Sequence, residues 1–123
     1  MSLNIFIVED SPIFAAVLKR MLVLMGHQVT ATAPSYADAI AYLQNNKPDL
    51  VLTDIMLIGP GTGIDVATYV NNHVHVPVIF QSSVTDADLI KQAFDCRPLA
   101  FLQKPVSKEM LSAALSGFER TAC

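Results

Sequence analysis

The apolar positions of this chain fall into two alternating patterns, short unbroken runs and longer stretches at helical spacing. Ile5-Phe6-Ile7-Val8, Leu50-Val51-Leu52-Thr53 and residues 76–81 are runs too short for helices and largely apolar on both faces, as in strands covered from either side. Gln28–Ala33 and Ala100–Gln103 complete a set of five predicted strands. Between the first two strands, Phe14, Val17, Leu18, Met21, Leu22 and Met25 recur at i, i+3, i+4, i+7, i+8 and i+11, the spacing of one buried helix face. Ser11 is placed to cap that helix, Pro12 suits its first position and Gly26 ends it. A second helix is predicted over 35–45, where Ser35 and Asp38 have capping-box spacing and Tyr36, Ile40 and Leu43 share a face. Residues 58–63, rich in Gly and Pro, read as a loop before a short helix over 64–71. Strand four begins at Pro77, where a missing N–H is tolerated. Thr85 or Asp86 then caps a helix carrying Leu89, Ile90, Ala93 and Phe94, and Ser107 caps a last one with Met110, Leu111, Ala114, Leu115 and Phe118 inward.

Strands alternating with helices imply an α/β domain, a parallel sheet with helices on both faces and right-handed crossovers. In such sheets ligands bind at the carboxyl ends of the strands, beside the point where the winding reverses. The residues at those ends are Glu9-Asp10, Asp54, Ser82-Ser83 and Lys104-Pro105. Three carboxylates meeting at one edge repel and raise one another's pKa unless a cation sits among them. A hard divalent ion such as Mg²⁺ would resolve the conflict.

That set suits phosphoryl transfer, which asks a protein for in-line positioning and neutralised oxygens. Mg²⁺ held by Glu9, Asp10 and one oxygen of Asp54 would take one phosphoryl oxygen, Ser82 could donate to a second and Lys104 could pair with a third. The other Asp54 oxygen is left as nucleophile, giving an acyl phosphate.

Composition narrows the reading. With 123 residues, 52% hydrophobic and 15% charged, the chain has the size of one cored domain, read as 1–123, and is not disordered. The net charge of −3 includes the site acids, so no basic stripe argues for nucleic-acid binding by this domain. No apolar run approaches a membrane span and the first run ends in acids, so the chain is read as cytoplasmic with no membrane contact. Cys96 and Cys123 have no metal or disulfide spacing and are assigned to packing or surface. His73 and His75 form an isolated H-x-H expected to face solvent, and His27 likewise. The methionines are expected in the core.

Val8-Glu9-Asp10-Ser11, Asp54-Ile55-Met56-Leu57, Val78-Ile79-Phe80-Gln81-Ser82-Ser83 and Phe101-Leu102-Gln103-Lys104-Pro105 occur in order on the expected elements. With these stretches the chain resembles the receiver domains of two-component response regulators, such as the chemotaxis regulator, over essentially its whole length. The resemblance implies a flavodoxin-like (βα)5 fold with strand order 2-1-3-4-5. It makes Asp54 the phosphoacceptor, Glu9 and Asp10 the Mg²⁺ holders with the Met56 backbone carbonyl, Ser82 the switch hydroxyl, Phe101 the switch aromatic and Lys104 the phosphate-pairing lysine. It also implies a cis bond before Pro105. A histidine kinase or histidine phosphotransfer protein would be the donor, and an effector would read the face of helix four, strand five and helix five. Homodimerisation on phosphorylation would fit as well. Such a domain is no enzyme beyond catalysing its own phosphorylation and dephosphorylation. In receivers the residues two past the acceptor and two past the switch hydroxyl flank the path of the hydrolytic water; here they are Met56 and Val84, neither able to orient it.

The chain departs from the family pattern at Ile58 and Thr62, where Pro and Gly are usual and Pro60 and Gly63 stand displaced, suggesting a loop lengthened by one residue or rearranged. Ser83 is an extra polar group, and Arg97-Pro98 replaces a usual Gly-Ala pair. A haloacid-dehalogenase-type phosphatase is the alternative reading, but it needs a general acid where Met56 stands. An FMN carrier would not put Glu9-Asp10 in its phosphate loop. A non-phosphorylated interaction module would have lost Asp54, an acid or Lys104.

Overall fold

The computed structural model describes residues 2–121, with side chains to residue 118, so the reading of Cys123 lies outside the described residues. Five parallel strands, β1 (Asn4–Val8), β2 (Gln28–Ala33), β3 (Leu50–Thr53), β4 (Val78–Ser82) and β5 (Ala100–Gln103), form one sheet in the order β2-β1-β3-β4-β5. Helices α1 (Pro12–Leu24), α2 (Tyr36–Leu43), α3 (Gly63–Tyr69), α4 (Ala87–Asp95) and α5 (Lys108–Thr121) alternate with them.

Side chains leave each strand on alternate sides, and two cores follow. Ile5, Ile7, Leu50, Leu52, Ile79 and Leu102 meet Leu18 and Leu22 of α1 and Leu111 and Leu115 of α5. Phe6, Val8, Val51 and Phe80 meet Ala39 and Leu43 of α2, Val66 and Ala67 of α3 and Ala93 of α4. β1, β3 and β4 are therefore buried on both sides, whereas edge strand β2 alternates exposed and half-buried positions up to Ala33.

The expected caps form. Ser11 accepts from Phe14 N, Ser35 from Asp38 N, Asp86 from Asp88 N and Leu89 N, and Ser107 from Met110 N, each contributing about 1 kcal/mol. Gly26 (φ 93°) stands just past α1 in a backbone conformation that other residues resist.

Other expectations need correction. β4 begins at Val78, after Pro77, whose carbonyl accepts from Val51 N. Gly63 opens α3 instead of ending the loop, with Thr62 and Asp65 making a reciprocal capping box. α3 then runs into a π-helical turn over Val70–Val74, closed by His75 in the left-handed region (φ 62°). On α1 the face is rotated: Ala15 is buried, while Val17 is exposed. On α2, Ala39 rather than Ile40 sits in the core. Of the apolar residues carried by α4, Ala93 is buried and Phe94 is exposed.

Candidate functional site

β1 and β3 pair as Val8 with Thr53, and the ladder continues one step beyond both strands: Asp54 N donates to Val8 O, while Glu9 N donates to Ala33 O. Glu9 and Asp54 therefore stand on either side of the point where the winding of the sheet reverses. One carboxylate oxygen from each of Glu9, Asp10 and Asp54 lies within 4.8 Å of the other two. Lys104 reaches them from the far side of the sheet. Its backbone N–H is tied to Ser82 O, and its Nζ donates to Glu9 Oε1 at 2.8 Å and Asp54 Oδ2 at 2.7 Å. The ring of Phe14, from α1, lies under the ammonium at 4.3 Å, an arrangement that favours the cation.

The remaining oxygens are also held. Asp54 Oδ1 accepts from Ile55 N at 2.7 Å, Glu9 Oε2 accepts from Ser11 N at 2.9 Å, and Glu9 Oε1 takes a second donor, Gln81 Nε2, at 3.1 Å. Burial alone would raise the pKa of Glu9, but the hydrogen bonds from Lys104, Ser11 and Gln81 outweigh it and hold Glu9 down to about 2. Asp54 is pushed up by its burial, against the pull of Lys104. Asp10, exposed at the mouth, is pushed up by partial desolvation and by Glu9 and Asp54. Burial works against the charge on Lys104, yet Asp54 and Glu9 raise its pKa overall. Lys104 thus pairs with Glu9 and Asp54 together, and Asp10, at the mouth, is the acid without a cation beside it.

Three oxygen-bearing acids, two of them with raised pKa, form a donor set that fits a hard divalent cation. Among the described residues this is the one cluster of its kind. His73 lies against the Tyr69 ring, and His27 Nδ1 accepts from Leu3 N, so neither histidine belongs to it. A cleft of about 370 Å³ between α1 and β2 is lined by Glu9, Asp10 and Lys19 but not by Asp54.

The other expected residues take distinct places. Ser82 is buried at the end of β4, and its Oγ accepts from Val84 N at 3.1 Å, so its own proton stays free to donate. Phe101 is half-buried, 6.2 Å from the Phe80 ring and stacked at 5.5 Å on the exposed Phe94. Met56 is not a core methionine: it is 53% exposed, beside Ile58 at 61%. The peptide before Pro105 is cis. Cys96 is half-buried near Thr68, and burial pushes its thiol up.

Two residues escaped the reading of the sequence. Gln81 is fully buried, and its Oε1 lacks a hydrogen-bond partner; a polar residue interrupting Val78-Ile79-Phe80 was the available signal. Gly63 is the second. Its N–H donates to Ile55 O at 2.7 Å, and a Cβ there would collide with the carbonyl of Asp54. The displaced glycine after Asp54 is therefore the one that lets α3 close against the end of β3.

A sequence profile of the response regulator receiver domain matches residues 5–116. The chain belongs to the response regulator receiver family. Among curated relatives, this receiver is 32% identical over 120 residues to the transcriptional regulatory protein MalR of Bacillus subtilis, covering 96% of this chain and 51% of that protein. It is 29% identical over 117 residues to the phyllosphere-induced regulator PhyR of Methylorubrum extorquens, covering 94% of this chain and 43% of that one. The chain spans about half the length of the curated relatives it matches. Among solved structures, the signal receiver domain of a modulated diguanylate cyclase from Desulfovibrio desulfuricans superposes with a TM-score of 0.92 at 27% identity, covering 99% of this chain and 98% of that one. The receiver has no described helix long and apolar enough to cross a membrane.

Proposed function

We propose that Asp54 is the phosphoacceptor of this receiver, taking a phosphoryl group from the phosphohistidine of a histidine kinase or phosphotransfer protein, or from acetyl phosphate, with Mg²⁺ or Mn²⁺ required. The observation that carries this reading is Lys104 Nζ bridging Glu9 Oε1 and Asp54 Oδ2 among three carboxylates. Glu9, Asp10, one oxygen of Asp54 and the Met56 backbone carbonyl would hold the metal. When bound, Mg²⁺ supplies positive charge for a phosphoryl oxygen and relieves the repulsion among the acids.

The chain's own groups do the positioning. Ile55 N–H fixes the rotation of the Asp54 carboxylate through Oδ1. Oδ2, released by Lys104, attacks phosphorus; the P–N bond to the donor imidazole breaks, and the imidazole leaves with its electron pair and picks up a proton. Lys104 follows the negative charge to a phosphoryl oxygen, and the Ser82 hydroxyl donates to another. Water later attacks the same phosphorus, returning the carboxylate and inorganic phosphate.

The added charge, about −1.5 to −2, draws Ser82 toward the pocket, and Phe101 moves into the space it leaves. Stacked on Phe94, Phe101 carries the change to the face of α4, β5 and α5, where an effector or a second receiver would bind. Residues 1–123 act in this reading as one receiver unit. Mass spectrometry of wild type and Asp54→Asn after acetyl phosphate and Mg²⁺ tests it: the wild type gains one phosphoryl group and the variant none. Equal labelling of the two would reject the assignment.

A further inference from the structure

Gln81 stands apart from the rest of β4. Val78, Ile79 and Phe80 before it are buried apolar side chains, and Gln81 is buried as completely as they are. Its Nε2 donates to Glu9 Oε1 at 3.1 Å, the same oxygen that takes Lys104 Nζ at 2.8 Å. The carbonyl end of the amide, Oε1, is buried without a partner. A methionine would fill this space without an orphaned oxygen, so packing alone does not account for a glutamine here, and its bond to Glu9 does. Turning the amide over would set its oxygen against the Glu9 carboxylate, so Glu9 fixes its orientation.

Glu9 is held by three donors that differ in kind. Ser11 N–H is fixed by the start of α1, and Gln81 is fixed by β4. Lys104 is the long, partly solvated one, with a side chain 18% exposed, and in the function proposed above it leaves Glu9 for the phosphoryl group. We infer that Gln81 is a positioning residue of the metal site: its amide keeps the Glu9 carboxylate aimed into the pocket when Lys104, which shares the same oxygen, turns to the phosphoryl group. This rests on the proposed function for the movement of Lys104 and on the geometry alone for the hold on Glu9.

The test uses the full chain as wild type and Gln81→Met, which keeps the reach of the side chain while losing both donor and orphan. Mg²⁺ is titrated with no phosphoryl donor present, and binding is read from amide NMR shifts. The half-saturating Mg²⁺ is expected to rise about tenfold, the low end for loss of a group that orients a ligand, in a metal-free variant that still melts cooperatively. In acetyl phosphate labelling the Mg²⁺ requirement rises in parallel, whereas the rate at saturating metal falls by about twofold or less. In the metal-free wild type, one Gln81 side-chain amide proton is expected to be protected from exchange with solvent. An unchanged Mg²⁺ titration in folded Gln81→Met would overturn the inference, and so would an unprotected Gln81 amide, which needs no variant to fold. Wild type that binds Mg²⁺ yet takes no label would reject the phosphoacceptor reading instead, and the donor-free titration would still decide Gln81.

Discussion

At the floor of the pocket the oxygens of Glu9 and Asp54 each have a donor at 2.7 to 3.1 Å, and both side chains are buried. Along α4 and β5 the picture reverses. Ala93 is the one fully buried residue of α4, Phe94 is exposed and Phe101 half-buried against it, and Ser83, Thr85 and Asp86 face solvent. A site that must place charges for in-line transfer tolerates little movement. A surface that must report the event needs an alternative arrangement at small cost, and such surfaces come from the weakly buried part of a fold. The two regions meet in Ser82 and in the backbone bond from Lys104 N to Ser82 O.

Breaking the floor should have the largest effect. Lys104→Met leaves Glu9 and Asp54 buried without their cation, so the metal-free protein is expected to lose about 3 kcal/mol of stability in denaturant melts. Acetyl phosphate labelling should slow by roughly 10²–10³-fold even at saturating Mg²⁺. Retention of normal labelling would mean that the lysine is only structural.

Next is the junction behind Asp54. Gly63→Val places carbon where the Asp54 carbonyl lies, and α3 must shift to make room. A loss of about 2–3 kcal/mol is expected, together with slower labelling, because the same carbonyl belongs to Asp54. Thermal melts and labelling rates measured on one preparation separate the two effects.

At the rim the expected changes are smaller and fall on lifetime. Met56 is exposed and Val84 half-buried, and neither side chain can orient water. Slow self-dephosphorylation of phosphorylated Asp54 is therefore expected, with Met56→Asn and Val84→Glu together shortening the lifetime about tenfold, or 1.4 kcal/mol of barrier. Following loss of label by mass spectrometry checks this; rapid decay in the wild type, unaccelerated in the double variant, would contradict it.

The smallest effect concerns Asp10. Its pKa is raised above the ordinary 3.8, so the folded metal-free protein holds that proton more tightly than the unfolded chain and loses stability as pH rises through the raised value. Asp10→Asn should remove this loss and stabilise the metal-free protein at neutral pH by about 0.5 kcal/mol, little because water screens the exposed carboxylate. The gain should vanish below pH 3.8 and should be replaced by weaker Mg²⁺ binding when metal is added. Glu9 runs the other way: held down to about 2 from 4.5, it contributes stability above 4.5 that is lost as pH falls toward 2. Melts across pH 2 to 7 without metal should show both slopes.

Much of this was legible in the sequence because the strand runs and caps are local signals. β3 and β5 have the boundaries that their apolar runs and flanking residues predict, and Ser11, Ser35 and Ser107 cap where expected. The meeting of Glu9, Asp10, Asp54 and Lys104 followed from topology, since all four close strands of one parallel sheet. What stayed hidden depends on contacts between distant segments. Gln81 finds Glu9 across 72 positions of sequence, and no local pattern marks the pair. Val17 and Phe94 carry helical spacing, but spacing fixes a face only to within a residue or so of its edge. The π-helical turn over Val70–Val74 continues a helical sequence without a break, and only its closing bond from His75 N to Val70 O, at 2.7 Å, sets it apart.

The anchoring of Gly63 has a wider consequence. Its bond to Ile55 O closes the segment between β3 and α3 at the base, and the bridge between Ile58 and Ser35 pins it again further out. With both attachments made by backbone, the exposed tip at Ile58, Gly59 and Pro60 packs on nothing that holds the Asp54 carboxylate, whereas Gly61 beside it lies against Tyr36, where a side chain would collide. A change of surface at this tip then leaves the charged floor beneath it in place.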